Sequence, residues 1–417
     1  MRRAAAVLVV CVLPSAAPAS DLPRATPAEV GLSAERLARI DRAFEAAVSE
    51  RRVAGALVLV GRRGKVAHLQ GFGYADVESR RPMTEDAIFR IASMTKVVTA
   101  LTALQLLEEG RFALDDPVSR YLPAFAKARV LAPDQSGADP ADPRTVAPAR
   151  AMTIRDLFRH TSGIWGGDRS DKAGLPQWKG SLAGFVETIA GLPLGYQPGS
   201  EFRYGYSTDV LGHLLEVLSG NPLDRIFADR VFGPLDLRDT GFTVPPEKVG
   251  RLTSDYRYSE AEGLVCEDRA DSSRFLVRAE GLSGGGGWSY SYPGLVTTAR
   301  DWWRIAEMLR RMGELDGRRL LSRKTVALMC SDQLGGIPGA MRPGLGYGLG
   351  IGVVRDAAAS GHLASEGTVY WAGGPHNTYF FVDSREEMTG ILLMQNGPYG
   401  HDLMRRFVDL VEQAVDD

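Results

Sequence analysis

The sequence predicts an α/β fold joined to an all-α part: an antiparallel sheet flanked by helices, built from both chain ends, with a helical lobe inserted between them. Three observations predict this. A helical pattern and a pair of apolar runs stand together near the start of the chain. The same combination returns near its end. The long middle is dominated by helical periodicity and carries few strand-like runs. The reading divides the chain into a leader at 1–20, an α/β lobe from 21–90 and 285–417, and a mostly helical lobe from 91–284.

The elements follow in order. Residues 34–50 place Leu37, Ile40, Phe44 and Val48 at helical spacing. In AGALVLVGRRGKVAHLQGFGYAD two apolar runs flank Gly61–Gly64, which reads as a hairpin. Residues 94–109 are helical and stop at Gly110, a residue suited to a helix C-cap. MTIRDLFRH gives a short helix, 207–219 another ending at Ser219-Gly220, and ARDWWRIAEMLRRMG a third. Residues 131–150, rich in Pro, Ala and Asp, read as a long surface loop. NTYFFVD and MTGILLMQN flank SREE as a second hairpin, and 402–415 close the chain as a helix. A cleft between two such lobes is a natural place for a site.

Bulk properties narrow the function classes. The 417 residues are 44% hydrophobic and 24% charged, which excludes disordered and fibrous chains. A net charge of −2 without a long basic run argues against nucleic acid as a partner. The opening MRRAAAVLVVCVLPSAAPAS has a positive start, a short apolar run and small residues at Ala17-Pro18-Ala19. That is the pattern of a secretory leader, too short to span a membrane, so a periplasmic or secreted protein without a stable membrane anchor is expected. Cys266 and Cys330 remain beyond the leader, free to pair or to stay as thiols. No Cys/His cluster has metal-ligand spacing, so neither a metal nor another cofactor is expected. Nothing in the sequence addresses oligomeric state.

The chemistry-bearing stretch is FRIASMTKVV. Ser93 and Lys96 lie three residues apart at a helix start, one turn apart on one face. The dipole end and partial burial both lower a lysine pKa there, and a neutral amine can take a serine proton. An ordinary N-cap followed by a solvated lysine gives the same letters. Two details favour chemistry: a first-turn lysine is unfavourable with the dipole, and AIFRIA ahead of it reads as buried. A competing nucleophile is Ser283 in GLSGG, with His362, His376 and His401 downstream. That motif needs a helix after it, and GGWSYSYPG cannot form one, so a glycine-rich turn lining the cleft is the better reading.

SMTK, MTIRDLFRHTSG, PGSEFRYGYSTDVLG, TTARDW and TYFFVD…LLMQN, in this order, resemble the serine β-lactamase and penicillin-binding-protein superfamily. The resemblance is to its class C-like branch, which includes family VIII carboxylesterases, and runs from about residue 30 to 412. It implies a β-lactamase/transpeptidase-like fold and a serine hydrolase working through an acyl-enzyme. By motif position Ser93 matches the nucleophile and Lys96 its base. Counting from Pro198-Gly199 puts Tyr204 in the slot of the catalytic tyrosine, whereas Tyr206-Ser207-Thr208 matches the usual letters better. With Tyr204 catalytic, Tyr206 takes the place of an asparagine that holds β-lactam side chains.

The third motif falls on Trp371-Ala372-Gly373, where tryptophan replaces a cation that would face a substrate carboxylate. Both departures point toward neutral esters. The backbone N–H groups of Ser93 and Gly374 are the expected oxyanion donors. Tyr206, Trp371, Gly373 and Trp165 are expected to contact substrate, with Trp288, Tyr290 and Tyr292 as further candidates for an acyl or alcohol pocket. His160 in HTSG reads as a structural residue that hydrogen-bonds backbone. The leading expectation is an exported carboxylesterase acting on small or medium esters. The alternatives are a β-lactamase or D-alanyl-D-alanine carboxypeptidase, an acyltransferase of the same fold, and a non-catalytic sensor.

Overall fold

A computed structural model describes residues 21–417 except 135–142, 165–179, 277–281, 287–293, 340, 399 and 401. The leader, Trp165, Trp288, Tyr290, Tyr292 and His401 therefore lie outside the described residues.

Eight strands form one antiparallel sheet. They are β1 (Gly55–Arg62), β2 (Lys65–Asp76), β3 (Arg81–Pro82), β4 (Leu345–Tyr347), β5 (Gly352–Val354), β6 (Val369–Gly373), β7 (Thr378–Asp383) and β8 (Met388–Met394). Their order in space is β4-β5-β6-β7-β8-β1-β2-β3, so the seam between the two chain ends is the β8–β1 pair. Its register sets Ala56 against Met394 and Arg62 against Met388. Both predicted hairpins are present, as β1–β2 and β7–β8.

The sheet is covered on both faces, and that is why β1 reads as an unbroken apolar run. Ala56, Val58 and Val60 point into a core shared with helix α1 (Ala34–Ser49) and the last helix. Leu57 and Leu59 point the other way, into the larger core. A strand buried on both faces loses the polar half of its alternation. In α1 the buried residues are Leu37, Ile40, Phe44 and Ala47. The Ser33 hydroxyl caps this helix by accepting from the Arg36 N–H.

Four further helices position the site. They are α2 (Thr95–Glu108), α3 (Ser207–Ser219), α4 (Ala299–Arg310) and α5 (Asp402–Glu412). The helix expected over 402–415 thus ends three residues early. Helix α4 packs its Trp302 edge-on to Phe380 of β7, with ring centroids 5.2 Å apart. Helix α2 is surrounded over most of its length: from Thr95 to Leu104 every residue is buried, Lys96 included. Helix α3 packs against α2 and ends at Gly220, which adopts φ +72°.

The expected loop at 131–150 is pinned at its base by a short ladder of Val130–Leu131 with Thr145–Val146. A small sheet not foreseen from the sequence joins Asp255–Ser259 to Gly263–Asp268 and, in parallel, to Asn396–Gly397. Cys266 and Cys330 are both free thiols.

Phe44 is fully buried and stacks on Phe72 at 5.4 Å between centroids. Phe44→Ala should therefore lower the unfolding free energy by about 3–5 kcal/mol, read from urea titration.

Candidate active site

Between Ala87 and Leu104 a single residue, Ser93, is not buried. It sits in a short 3₁₀ turn, Ala92–Met94, immediately ahead of α2. The turn is held from behind: Ile91 N–H donates to Leu295 O at 3.0 Å, and Leu295 N–H to the Thr95 hydroxyl at 2.9 Å. Ala92 adopts φ +38°, a region a non-glycine residue occupies only where its surroundings enforce it.

Lys96 is wholly buried on the first turn of α2. Its Nζ lies 3.2 Å from Ser93 Oγ and also donates to the carbonyl of Gly285. It stands 4.6 Å from the centroid of the Tyr204 ring. Burial pulls its pKa down to about 7, and the nearby Asp209 carboxylate offsets part of that fall.

The two tyrosines separate cleanly. Tyr204 lies beside Lys96, whereas Tyr206 begins α3 and sets its ring edge-on to Phe185 at 5.2 Å. His160 clamps the backbone on both sides of Tyr204. Its carbonyl accepts from Arg203 N–H at 2.9 Å, and its Nδ1 accepts from Gly205 N–H at 3.3 Å. With Nδ1 accepting, the ring proton rests on Nε2, which faces the Thr208 hydroxyl at 3.4 Å. Burial holds this histidine well below its usual pKa, so it is neutral. His160 thus bonds backbone, as its sequence context suggested.

Trp371 of β6 meets the Tyr204 ring at 5.5 Å and the Tyr347 ring at 4.9 Å, forming an aromatic wall. Two residues on, Gly373 presses against the Ser93 turn. A Cβ there would lie 2.3 Å from Ile91 O, so no side chain fits. The turn Gly374–His376 follows and packs on Ala92–Met94. It is pinned by His376 Nδ1 to Asp255 Oδ1 at 3.0 Å and by Asn377 Nδ2 to Pro398 O at 2.8 Å. The structure therefore gathers Ser93, Lys96, Tyr204, Trp371, Gly373 and Gly374 in one place. Tyr206 sets its ring against Phe185, and Trp165 is outside the described residues.

Sequence reasoning passed over Asp209, Tyr347 and the role of Gly285. In GLSGG the serine is not exposed: Ser283 is 2% accessible and donates to Asp209 Oδ1 at 2.6 Å. Gly284 and Gly285 form a wedge between α2 and α3. Gly284 and Gly212 of α3 approach so closely that a Cβ on Gly284 would lie 3.2 Å from the Gly212 Cα. The signal was present in the glycine run and in DVLG, but only three dimensions join them.

A family model for Beta-lactamase matches residues 40–413. The chain belongs to the Beta-lactamase family. Within this family, Esterase EstB of Burkholderia gladioli is 33% identical over 391 residues, covering 88% of this chain and 92% of its own. An uncharacterized protein of Mycobacterium tuberculosis is 35% identical over 364 residues, covering 83% and 86%. The solved structure of EstCE1, described as a hydrolase with promiscuous acyltransferase activity, superposes with a TM-score of 0.72. It is 28% identical and covers 92% of this chain and 99% of its own. Family and fold together make this protein a serine hydrolase, as the sequence motifs implied.

The glycine that follows the wedge offers a direct test. Gly286 has φ +91°, and a Cβ on it would lie 2.0 Å from Ala92 O. Gly286→Ala should displace the Ser93 turn and cut hydrolytic turnover by about 10²-fold, measured as kcat/KM against a short p-nitrophenyl ester.

Proposed function

We propose that the protein is an exported carboxylesterase that takes small and medium neutral esters through an acyl-Ser93 intermediate. The observation that carries this reading is the buried Lys96 amine, 3.2 Å from Ser93 Oγ and against the ring of Tyr204. In its neutral form the amine accepts the serine proton as Oγ attacks the ester carbonyl. The Tyr204 phenol, beside Lys96, relays a proton to the departing alcohol. The N–H groups of Ser93 and Gly374 receive the negative charge that forms on the carbonyl oxygen. Water then attacks the acyl-serine, its proton returns to the same pair, and the acid leaves.

The substrate class rests on the wall of the site. Trp371, backed by the buried ring of Tyr347, presents an aromatic surface where a carboxylate-bearing substrate would want a cation. A 33% identical relative named as an esterase supports the same assignment. Acyl transfer to an alcohol is the second reading, favoured by the description of EstCE1. Export rests on the sequence of the leader alone, and amino-terminal sequencing of the protein recovered from outside the cytoplasm should find a start near residue 20.

Ser93→Ala should reduce ester turnover by at least about 10³-fold, and undiminished turnover would sink the assignment. Tyr204→Phe should cost about 10²–10⁴-fold, while Tyr206→Phe should alter kcat/KM far less. Nitrocefin hydrolysis at a rate matching the ester would favour the β-lactamase alternative, and added alcohol that diverts product from free acid would establish transfer. The pH dependence has a definite sign. Lys96 must lose its proton to act, so kcat/KM should rise as pH climbs through about 7 and level off above it.

A further inference from the structure

Asp209 takes no part in the steps above, yet it is built into the site. It stands on the first turn of α3 and is 2% exposed. Its Oδ1 accepts from the Ser283 hydroxyl at 2.6 Å and from the Gly285 N–H at 3.0 Å. Its Oδ2 is buried with no hydrogen-bond partner among the described residues. A carboxylic proton placed there would have no acceptor, while two donors converge on Oδ1. Burial pushes the Asp209 carboxyl above its usual range, while a positive charge nearby and the Ser283 and Gly285 donors oppose that rise and favour the carboxylate.

That charge is Lys96. Gly285 joins the two residues: its N–H binds Asp209 and its carbonyl accepts from the Lys96 amine. The arrangement requires glycine, since a Cβ on residue 285 would lie 2.3 Å from Asp209 Oδ2. The groups facing Lys96 come from every side. Ser93 is on the preceding turn, Tyr204 precedes α3, and Asp209 lies on α3. The neutral ring of His160 also lies within reach of its field. Asp209 is the carboxylate among them.

We propose that Asp209 is a positioning residue: through Gly285 it fixes the place of the Lys96 amine, and as the buried counter-charge it sets the pH at which that amine becomes a base. This rests on Lys96 acting on Ser93, as read above. The sign follows from charge alone. A negative neighbour favours the ammonium, so removing it lets Lys96 release its proton at lower pH. The loss also slackens the glycine wedge that holds the amine in line.

The test uses Asp209→Asn and Ser283→Ala in the full-length protein, each checked for folding by thermal melting. Asp209→Asn should move the acid limb of the kcat/KM profile lower by about one pH unit. It should also reduce kcat by about tenfold through misplacement of the amine. Ser283→Ala removes one donor from the carboxylate and should move the limb the same way by less. A second readout is independent of turnover: the Lys96 ¹³Cε signal, assigned with Lys96→Met, is titrated in a Ser93→Ala background with and without Asp209→Asn. The Asn variant should titrate at lower pH.

A folded Asp209→Asn protein with an unmoved limb and an unmoved Lys96 titration overturns the proposal. If that variant does not fold, an unmoved Lys96 titration in Ser283→Ala overturns it instead. Full turnover by Ser93→Ala would defeat the catalytic reading, and the Lys96 titration would still report on Asp209.

Discussion

Everything at this site depends on keeping one amine in a dry place. A lysine ammonium strongly prefers water, and burying it disfavours the charged form. Lys96 has no access to solvent because α2 is enclosed on every side. Apart from Lys96, its buried stretch from Thr95 to Leu104 is made of Thr, Val, Ala and Leu, a composition that would be out of place on a surface helix. Helix α3 packs along one flank, and the glycine wedge closes the gap between α2 and α3. Fold and chemistry meet in that enclosure. The same packing that excludes water from Lys96 leaves an opening at Ser93 alone.

Much of this was legible in the sequence because the deciding spacings are short. Ser93 and Lys96 are one helical turn apart, and both hairpins carry their turn residues between apolar runs. Tyr204 and Tyr206 stayed rival candidates in the sequence, one by its distance from Pro198-Gly199 and the other by its letters, and the structure sets Tyr204 beside Lys96. What stayed hidden depends on contacts between distant segments. Asp209 reads as an ordinary acid on a helix until residue 285 is folded against it. Tyr347 sits on a three-residue strand too short to announce itself, yet it forms part of the aromatic wall. The small sheet of Asp255–Asp268 with Asn396–Gly397 likewise joins segments that no local pattern links.

The two sides of the site are held by different means. The Ser93 turn is locked by backbone and by close glycine contacts, with Ala92 forced to φ +38°. The facing turn at Gly374–His376 is locked by side chains, His376 on Asp255 and Asn377 on the backbone of Pro398. A backbone N–H can be aimed only by fixing the peptide that carries it, so both candidate oxyanion donors sit on turns of restricted freedom.

The β8–β1 seam has a consequence for how the chain comes into being. Ala56 is made early on the ribosome and Met394 almost last, yet they are neighbours in the sheet. Until the final strands emerge, β1 has one apolar edge with nothing to pair against, and the enclosure around Lys96 has no floor. Contacts this far apart in the chain also make closure slow relative to local helix formation. The nascent chain thus passes through synthesis as an open, unfinished structure rather than a completed enzyme.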